Sequence, residues 1–115
     1  MVFNVAVGNR DDHLRNHGFV LTPKGWTLSM AFDVNPAIDK PSHVLNLDEL
    51  DNRPNLKSVL NTAGYYGLEQ TRAKKIVGEI LRVTSTWRAA AKKAGISRAD
   101  IELTAVAFEG EHLHL

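Results

Sequence analysis

The chain has 115 residues, of which 43% are hydrophobic and 23% are charged, so we expect one domain with a small core. A formal net charge of +1 excludes a highly charged disordered chain, and the absence of cysteine excludes disulfides, thiolate metal sites and cysteine nucleophiles. No apolar run approaches the roughly 20 residues that cross a bilayer. The first residues lack the basic start of a signal peptide, so we expect a folded, cytoplasmic protein without membrane contact.

The N-terminal third alternates apolar segments with one very polar stretch. "MVFNVAV" suits the end of a buried helix or a short buried strand equally well. The polar stretch "GNRDDHLRNHG" follows it. Next, "HGFVLT" and "GWTLSM" flank "PKG", and this pattern predicts a β-hairpin because proline and glycine favour a chain reversal.

The middle of the chain predicts short elements. "AFDVNPAIDKPS" holds two prolines and is expected to be irregular, which places Asp33 directly after the hairpin. "HVLNLDE" is expected to form a short strand. "NLKSVLNTA" predicts a short helix with one apolar side, formed by Leu56, Val59, Leu60 and Ala63.

The C-terminal half predicts helices. Apolar residues recur at helical spacing from Gln70 to Ala94, which indicates one long helix whose basic residues lie mostly off the apolar stripe. Gly95 is a natural stop, and Ser97 is placed to cap a further helix over "RADIELTAVAF". The fold class predicted from these elements is α+β, mainly α, with a small β-hairpin.

Three polar residues of the first third match the requirements of phosphoryl transfer. This reaction needs a carboxylate that orients the attacking hydroxyl and side-chain oxygens that hold Mg²⁺ against the nucleotide phosphates. In protein kinases the catalytic aspartate is followed five positions later by a metal-binding asparagine, then by a hairpin and a second metal-binding aspartate. Asp11, Asn16 and Asp33 stand in this order, and a hairpin between Asn16 and Asp33 would bring these two residues together.

The strings "DDHLRN" and "AFDVNP" resemble the C-terminal lobe of HipA-like toxin kinases, whose loop Asp-x-His-x-x-Asn is followed by a hairpin and a second aspartate. The resemblance implies a partial kinase-like C-lobe. It implies that Asp11 is the catalytic base, with His13 as a catalytic-loop residue that positions the phosphate or the loop. It also implies that Asn16 and Asp33 bind the nucleotide cofactor through Mg²⁺.

The same resemblance implies an activity and partners. HipA-like kinases transfer the γ-phosphoryl group of ATP to Ser or Thr of a protein substrate, with Mg²⁺, and are usually paired with a DNA-binding antitoxin. The chain contains no Gly-x-Gly-x-x-Gly or Gly-Lys-Ser/Thr string and begins ten residues before Asp11. We therefore expect a single HipA-like C-terminal domain over residues 1–115, without the N-terminal ATP-binding lobe and the upstream C-lobe helices, and inactive in isolation.

Other functions compete with the kinase hypothesis. A non-catalytic interaction module, with self-association or antitoxin binding, would retain a remnant kinase loop, and apolar surface left uncovered would favour a homo-oligomer. Asp11, His13 and His17 could in principle hold a transition metal.

Several further residues favour structural roles. The basic residues between Glu69 and Arg98 indicate a solvated helix face rather than direct nucleic-acid binding, because no aromatic residues alternate with them. We expect the aromatic residues Trp26, Tyr65 and Tyr66 to be core or edge residues. His112 and His114 are expected in a solvated tail.

Overall fold

Five α-helices and one β-hairpin form the regular structure of the chain, and the computed structural model describes residues 1–115. The elements are α1 (Val2–Ala6), β1 (Phe19–Thr22), β2 (Gly25–Leu28), α2 (Leu56–Asn61), α3 (Gln70–Thr84), α4 (Trp87–Lys93) and α5 (Arg98–Phe108). Short 3₁₀ turns cover Leu14–Asn16, Thr62–Tyr66 and Glu111–Leu113. The predicted α+β, mainly α, fold class is confirmed. None of the helices has both the length and the apolar character that a membrane crossing requires.

The hairpin predicted around "PKG" is confirmed. Strands β1 and β2 are antiparallel, with Phe19 opposite Leu28 and Thr22 opposite Gly25. The Thr22 hydroxyl donates to the Gly25 carbonyl over 2.9 Å and accepts from the Lys24 amide over 3.2 Å. Gly25 has a φ of +108°, which a side chain would disfavour, so the turn depends on glycine at this position.

The core lies where α1, α2 and α3 meet. The apolar N-terminal segment, for which helix and strand were equally compatible, is a helix. The predicted helix over "NLKSVLNTA" is present as α2, and the Asn55 side chain caps it by accepting from the Lys57 amide over 2.8 Å. All four residues of its apolar side are buried. The core residues are Val5, Leu47, Leu56, Val59, Leu60, Ala63, Ala73 and Val77.

The prediction of one long helix over Gln70–Ala94 is wrong, because the helix is interrupted at Ser85 and Thr86. The Ser85 and Thr86 hydroxyls each donate over 2.8 Å to a carbonyl three residues earlier. Such side-chain bonds compete with the backbone hydrogen bonds of the α-helix. The Thr86 amide donates to the Val83 carbonyl, three residues earlier, as in a 3₁₀ turn.

The C-terminal prediction, a helix stop at Gly95 followed by a capped helix, is confirmed. Gly95, two residues after the end of α4, has a φ of +80°, and the Ser97 hydroxyl accepts from the Asp100 amide at the start of α5 over 3.1 Å. Helices α4 and α5 are held together by Trp87, whose ring stacks on Phe108 with centroids 4.5 Å apart. Ala107 of α5 in turn lies against Gly8, in the loop that follows α1.

The strand predicted over "HVLNLDE" is absent, because local polar contacts close this segment into a turn. The Asp48 carboxylate accepts from the amides of Leu50 and Asp51, each over 2.8 Å. The Leu47 amide donates to the Asp51 carbonyl over 2.8 Å. An aspartate that binds amides a few residues ahead stabilises a turn in place of an extended chain.

Of the core or edge positions expected for Trp26, Tyr65 and Tyr66, the core is excluded, because all three are exposed. The Tyr65 hydroxyl donates to Glu49 at the surface over 3.0 Å. One expectation about burial fails. His112 is not in a solvated tail, since its ring packs against Gly110 and burial lowers the pKa of the imidazole. His114 is exposed, as expected.

Candidate active site

The loop that follows α1 is held by buried contacts at its first residues. Gly8 has a φ of +65° and lies so close to α5 that an added Cβ would stand 2.7 Å from the Cβ of Ala107. Asn9 is almost fully buried, and its backbone amide donates to the backbone carbonyl of Asn4 over 2.8 Å. Helices α1 and α5 therefore determine where the polar residues after position 9 lie.

The hairpin returns the chain to the same loop, as the sequence predicted for Asn16 and Asp33. The Ser29 amide donates to the Gly18 carbonyl over 2.8 Å, which extends the pairing of the two strands toward the loop. The Asn16 side chain, only 8% exposed, donates from Nδ2 to Asp33 Oδ2 over 2.8 Å. Asn16 and Asp33 are therefore in direct contact across 17 positions of sequence.

Asp33 has an unusual backbone conformation. Its φ of +53° is left-handed, which aspartate tolerates better than most residues and which is common at functional sites. The second carboxylate oxygen, Oδ1, accepts from Asn35 Nδ2 over 3.0 Å. Both oxygens of the exposed carboxylate are thus bound by amide groups, and these contacts define its orientation.

Asp11 and Asp33 face one cleft of about 240 Å³. Its walls are formed by Asn9, Asp11, Asp33, Asn35, Pro36, Ala37, Asp39 and Lys40. The Lys40 ammonium forms an ion pair with Asp11 Oδ1, and its hydrogen bond lowers the pKa of the Asp11 carboxyl. The ion pair thus favours the ionised carboxylate, the form that accepts a hydrogen bond from a hydroxyl.

His13 does not line this cleft, although the sequence placed it two residues after Asp11. Its Nδ1 is buried without a hydrogen-bond partner. Its role in positioning a phosphate or the loop stays a prediction.

Asp12, to which the resemblance assigns at most a supporting role, holds the loop against α1. Its carboxylate accepts from Asn4 Nδ2 over 2.7 Å and lies 2.8 Å from His17 Nε2. The Asp12 side chain is 13% exposed, whereas that of its neighbour Asp11 is 53% exposed. The adjacent aspartates therefore differ in function: Asp12 holds the loop and Asp11 faces solvent and the cleft.

Behind the loop, Arg10 connects it to the segment after the hairpin. The Arg10 guanidinium donates to the Lys40 carbonyl, and the Arg10 carbonyl accepts from the Val44 amide over 3.0 Å. His43 is almost completely buried nearby, and burial followed by the charge of Arg10 lowers the pKa of its imidazole. These contacts fix the position of Lys40, a residue that the sequence did not single out.

The side chains present suit Mg²⁺ better than a transition metal. No group of three or more His, Asp or Glu residues lies close enough to hold a metal ion, so the alternative Asp11, His13 and His17 set is not assembled. Mg²⁺ is usually bound by one or two carboxylates together with water and substrate phosphates. Asp33 offers carboxylate oxygens, and Asn16 would offer Oδ1 after rotation of its amide, so this donor set fits Mg²⁺.

Comparison with known proteins agrees with this arrangement. The family model described as HipA-like C-terminal domain matches residues 1–87, which include the loop, the hairpin, Asp33 and Lys40. No curated protein and no solved structure matches the chain. The match covers well over half of the 115 residues, and the chain therefore belongs to the HipA-like C-terminal domain family.

Proposed function

We propose that the cleft is the phosphoryl-transfer site of a HipA-like protein kinase. The proposal depends above all on the 2.8 Å contact between Asn16 and Asp33, because Asp33 lines the same cleft as Asp11. Asn16 itself lines a second pocket, which shares Asn9 with this cleft. Asp11 would orient the acceptor hydroxyl and receive its proton as the phosphoryl group is transferred. A carboxylate must be ionised to accept this proton, and the ion pair with Lys40 favours the ionised form of Asp11.

Asn16 and Asp33 would hold Mg²⁺ and, through it, the nucleotide phosphates. When bound, Mg²⁺ neutralises negative charge on the phosphate oxygens. The protein's contribution is the orientation of its ligands. The hairpin sets the distance between Asn16 and Asp33, and Asn35 restrains the carboxylate of Asp33.

Family membership supports an acceptor hydroxyl on Ser or Thr of a protein substrate, and a DNA-binding antitoxin as partner. Within the 115 residues no glycine-rich phosphate-binding string is present. Phosphoryl transfer depends mostly on positioning, and a nucleotide held only at its metal would be poorly positioned. We therefore propose weak nucleotide binding by this chain alone, without transfer.

Titration with ATP in the presence of Mg²⁺ tests the proposed site. We expect the wild-type chain to bind MgATP weakly, and Asp33→Ala to weaken binding at least about tenfold because a charged metal ligand is lost. The measurement is the Kd from NMR chemical-shift changes, with and without EDTA. Removal of Mg²⁺ should have the same effect as the substitution.

The matched control is Glu79→Ala, which removes an exposed carboxylate from α3 and should leave the Kd unchanged. Binding that is equally strong in Asp33→Ala and in wild type would contradict the proposed metal site.

A parallel assay with radiolabelled ATP should detect no transfer of the phosphoryl group by the wild-type chain. Transfer that is lost in Asp11→Asn would instead mean that these residues suffice for catalysis.

A second candidate function, self-association, is favoured by one face of the hairpin. Phe19 lies opposite Leu28 and Leu21 opposite Trp26, so the four side chains share one face of the two-stranded sheet. Each of the four is between 63% and 70% exposed. Apolar faces of this kind tend to be covered by another protein surface, and we propose a homo-oligomer.

We expect the wild-type chain to have a mass above that of a monomer in light scattering at high concentration. Trp26→Glu should shift the mass toward 12.7 kDa, because a charge on the apolar face opposes its burial. The control is Thr27→Glu, which places the same charge on the opposite face of the same strand. A monomeric wild-type chain would rule out self-association through this face.

A further inference from the structure

Lys40 is in direct contact with the carboxylate proposed to orient the acceptor hydroxyl. Its ammonium forms the ion pair with Asp11, and the two side chains are 37% and 53% exposed. An ion pair this exposed contributes little to stability, since solvent screens it and the long lysine side chain loses entropy. The position of Lys40 therefore needs an explanation other than stability.

The backbone around Lys40 is held against the catalytic loop at two points. The Ala37 amide donates to the Gly8 carbonyl over 2.9 Å, and the Arg10 guanidinium donates to the Lys40 carbonyl. Gly8 lies three residues before Asp11 and Arg10 directly before it. The loop thus fixes the main chain of this segment, while the Lys40 side chain is held only by its ion pair with Asp11 and is 37% exposed.

Lys40 is also the only cationic residue that lines the cleft. Three carboxylates, those of Asp11, Asp33 and Asp39, line the same walls. A cleft with this charge repels a polyphosphate unless cations offset the carboxylates. Bound Mg²⁺ would offset negative charge at Asn16 and Asp33. Beside Asp11, the cation that offsets negative charge would be the Lys40 ammonium.

His13 does not supply this charge. It lies two residues after Asp11 in the sequence but does not line the cleft. The cation beside Asp11 comes instead from the segment that follows Asp33. A primary ammonium on a flexible side chain suits a phosphate oxygen, because it can leave the carboxylate as the phosphate arrives.

We propose that Lys40 binds the terminal phosphoryl group of the nucleotide, next to Asp11, and is thereby a specificity-determining residue for a triphosphate over a diphosphate. The proposal rests on the phosphoryl-transfer site proposed above. Lys40 would leave the Asp11 carboxylate when the nucleotide binds. Asp11 would then be available to the acceptor hydroxyl.

The test compares MgATP with MgADP as probes of the 115-residue chain, with each Kd measured by NMR. In Lys40→Gln we expect the Kd for MgATP to rise about tenfold, equivalent to about 1.4 kcal/mol of binding free energy. The Kd for MgADP should change less than about twofold, because ADP lacks the phosphoryl group that Lys40 contacts. Lys40→Arg should keep most of the preference for MgATP. Lys75→Gln, which removes an exposed charge from α3, should change neither Kd.

The outcomes separate this inference from the proposed function. Lys40 does not contact the terminal phosphoryl group if Lys40→Gln binds MgATP as wild type does, or if the substitution weakens the binding of MgATP and of MgADP equally. In either case, loss of MgATP binding in Asp33→Ala would still support the proposed phosphoryl-transfer site. Tighter MgATP binding by Lys40→Gln would mean that Lys40 obstructs the cleft. Absence of MgATP binding by the wild-type chain would overturn both proposals.

Discussion

Substitution of Gly8 by alanine is expected to lower the free energy of unfolding by about 2–5 kcal/mol. The new Cβ would stand 2.7 Å from Cβ and 2.9 Å from Cα of Ala107, which is itself fully buried. Backbone atoms of α5 cannot move aside as a flexible side chain can. The φ of +65° adds a further cost, because alanine disfavours left-handed backbone. Urea denaturation followed by circular dichroism measures the loss.

The matched control is Gly78→Ala in the middle of α3. An added Cβ at Gly78 meets no atom within 4 Å, and alanine favours the helix, so this variant should be more stable than wild type by about 1 kcal/mol. If Gly8→Ala were as stable as wild type, the close packing of the loop on α5 would be refuted. A loss larger than about 1–2 kcal/mol, which left-handed backbone alone costs alanine, would show that α5, which lies beyond the family match to residues 1–87, supports the loop that contains Asp11.

The second large effect is expected for Leu56→Ala in α2. Leu56 is 0% exposed and lies in the core between α1 and α3. Removal of most of a buried leucine side chain loses apolar burial and leaves a cavity, which costs about 2–5 kcal/mol. The same denaturation experiment measures the change, with the transition midpoint and slope compared with wild type.

Leu50→Ala is the control for Leu56→Ala, since Leu50 is 94% exposed and its truncation should change stability by less than about 0.5 kcal/mol. Equal effects of the two substitutions would argue against a core formed by α1, α2 and α3. The core matters for the site because α1 leads directly into the loop that contains Asp11. A loss of packing beneath α1 would therefore also disturb the cleft.

Elements with strong local signals were predictable from the sequence. The hairpin has proline and glycine between two apolar runs, α2 has a four-residue apolar side, and α5 has a serine cap after Gly95. Each signal acts within a few residues, so its structural consequence does not depend on the rest of the chain. The contact of Asn16 with Asp33 was predictable for the same reason, because a hairpin brings its two flanks together.

The errors arose where local polar bonds outweighed apolar spacing. An apolar stripe continues through Ser85 and Thr86, but their hydroxyls bind nearby carbonyls and end α3. Asp48 similarly closes a turn where apolar residues suggested a strand. Hydrophobic periodicity indicates which residues can be buried, but it does not indicate which side chains form hydrogen bonds with the backbone.

By itself, the sequence determined the α+β class, the hairpin and the order of Asp11, Asn16 and Asp33, because these follow from short-range patterns and from resemblance in two short strings. The resemblance already favoured Asp11 over Asp12, and the tertiary structure supplies the physical difference, since Asp12 binds Asn4 while Asp11 lines the cleft. Only the tertiary structure placed Lys40 beside Asp11, across 29 positions. The physical reason is that these contacts join distant segments, whose meeting depends on how the helices and the hairpin pack together.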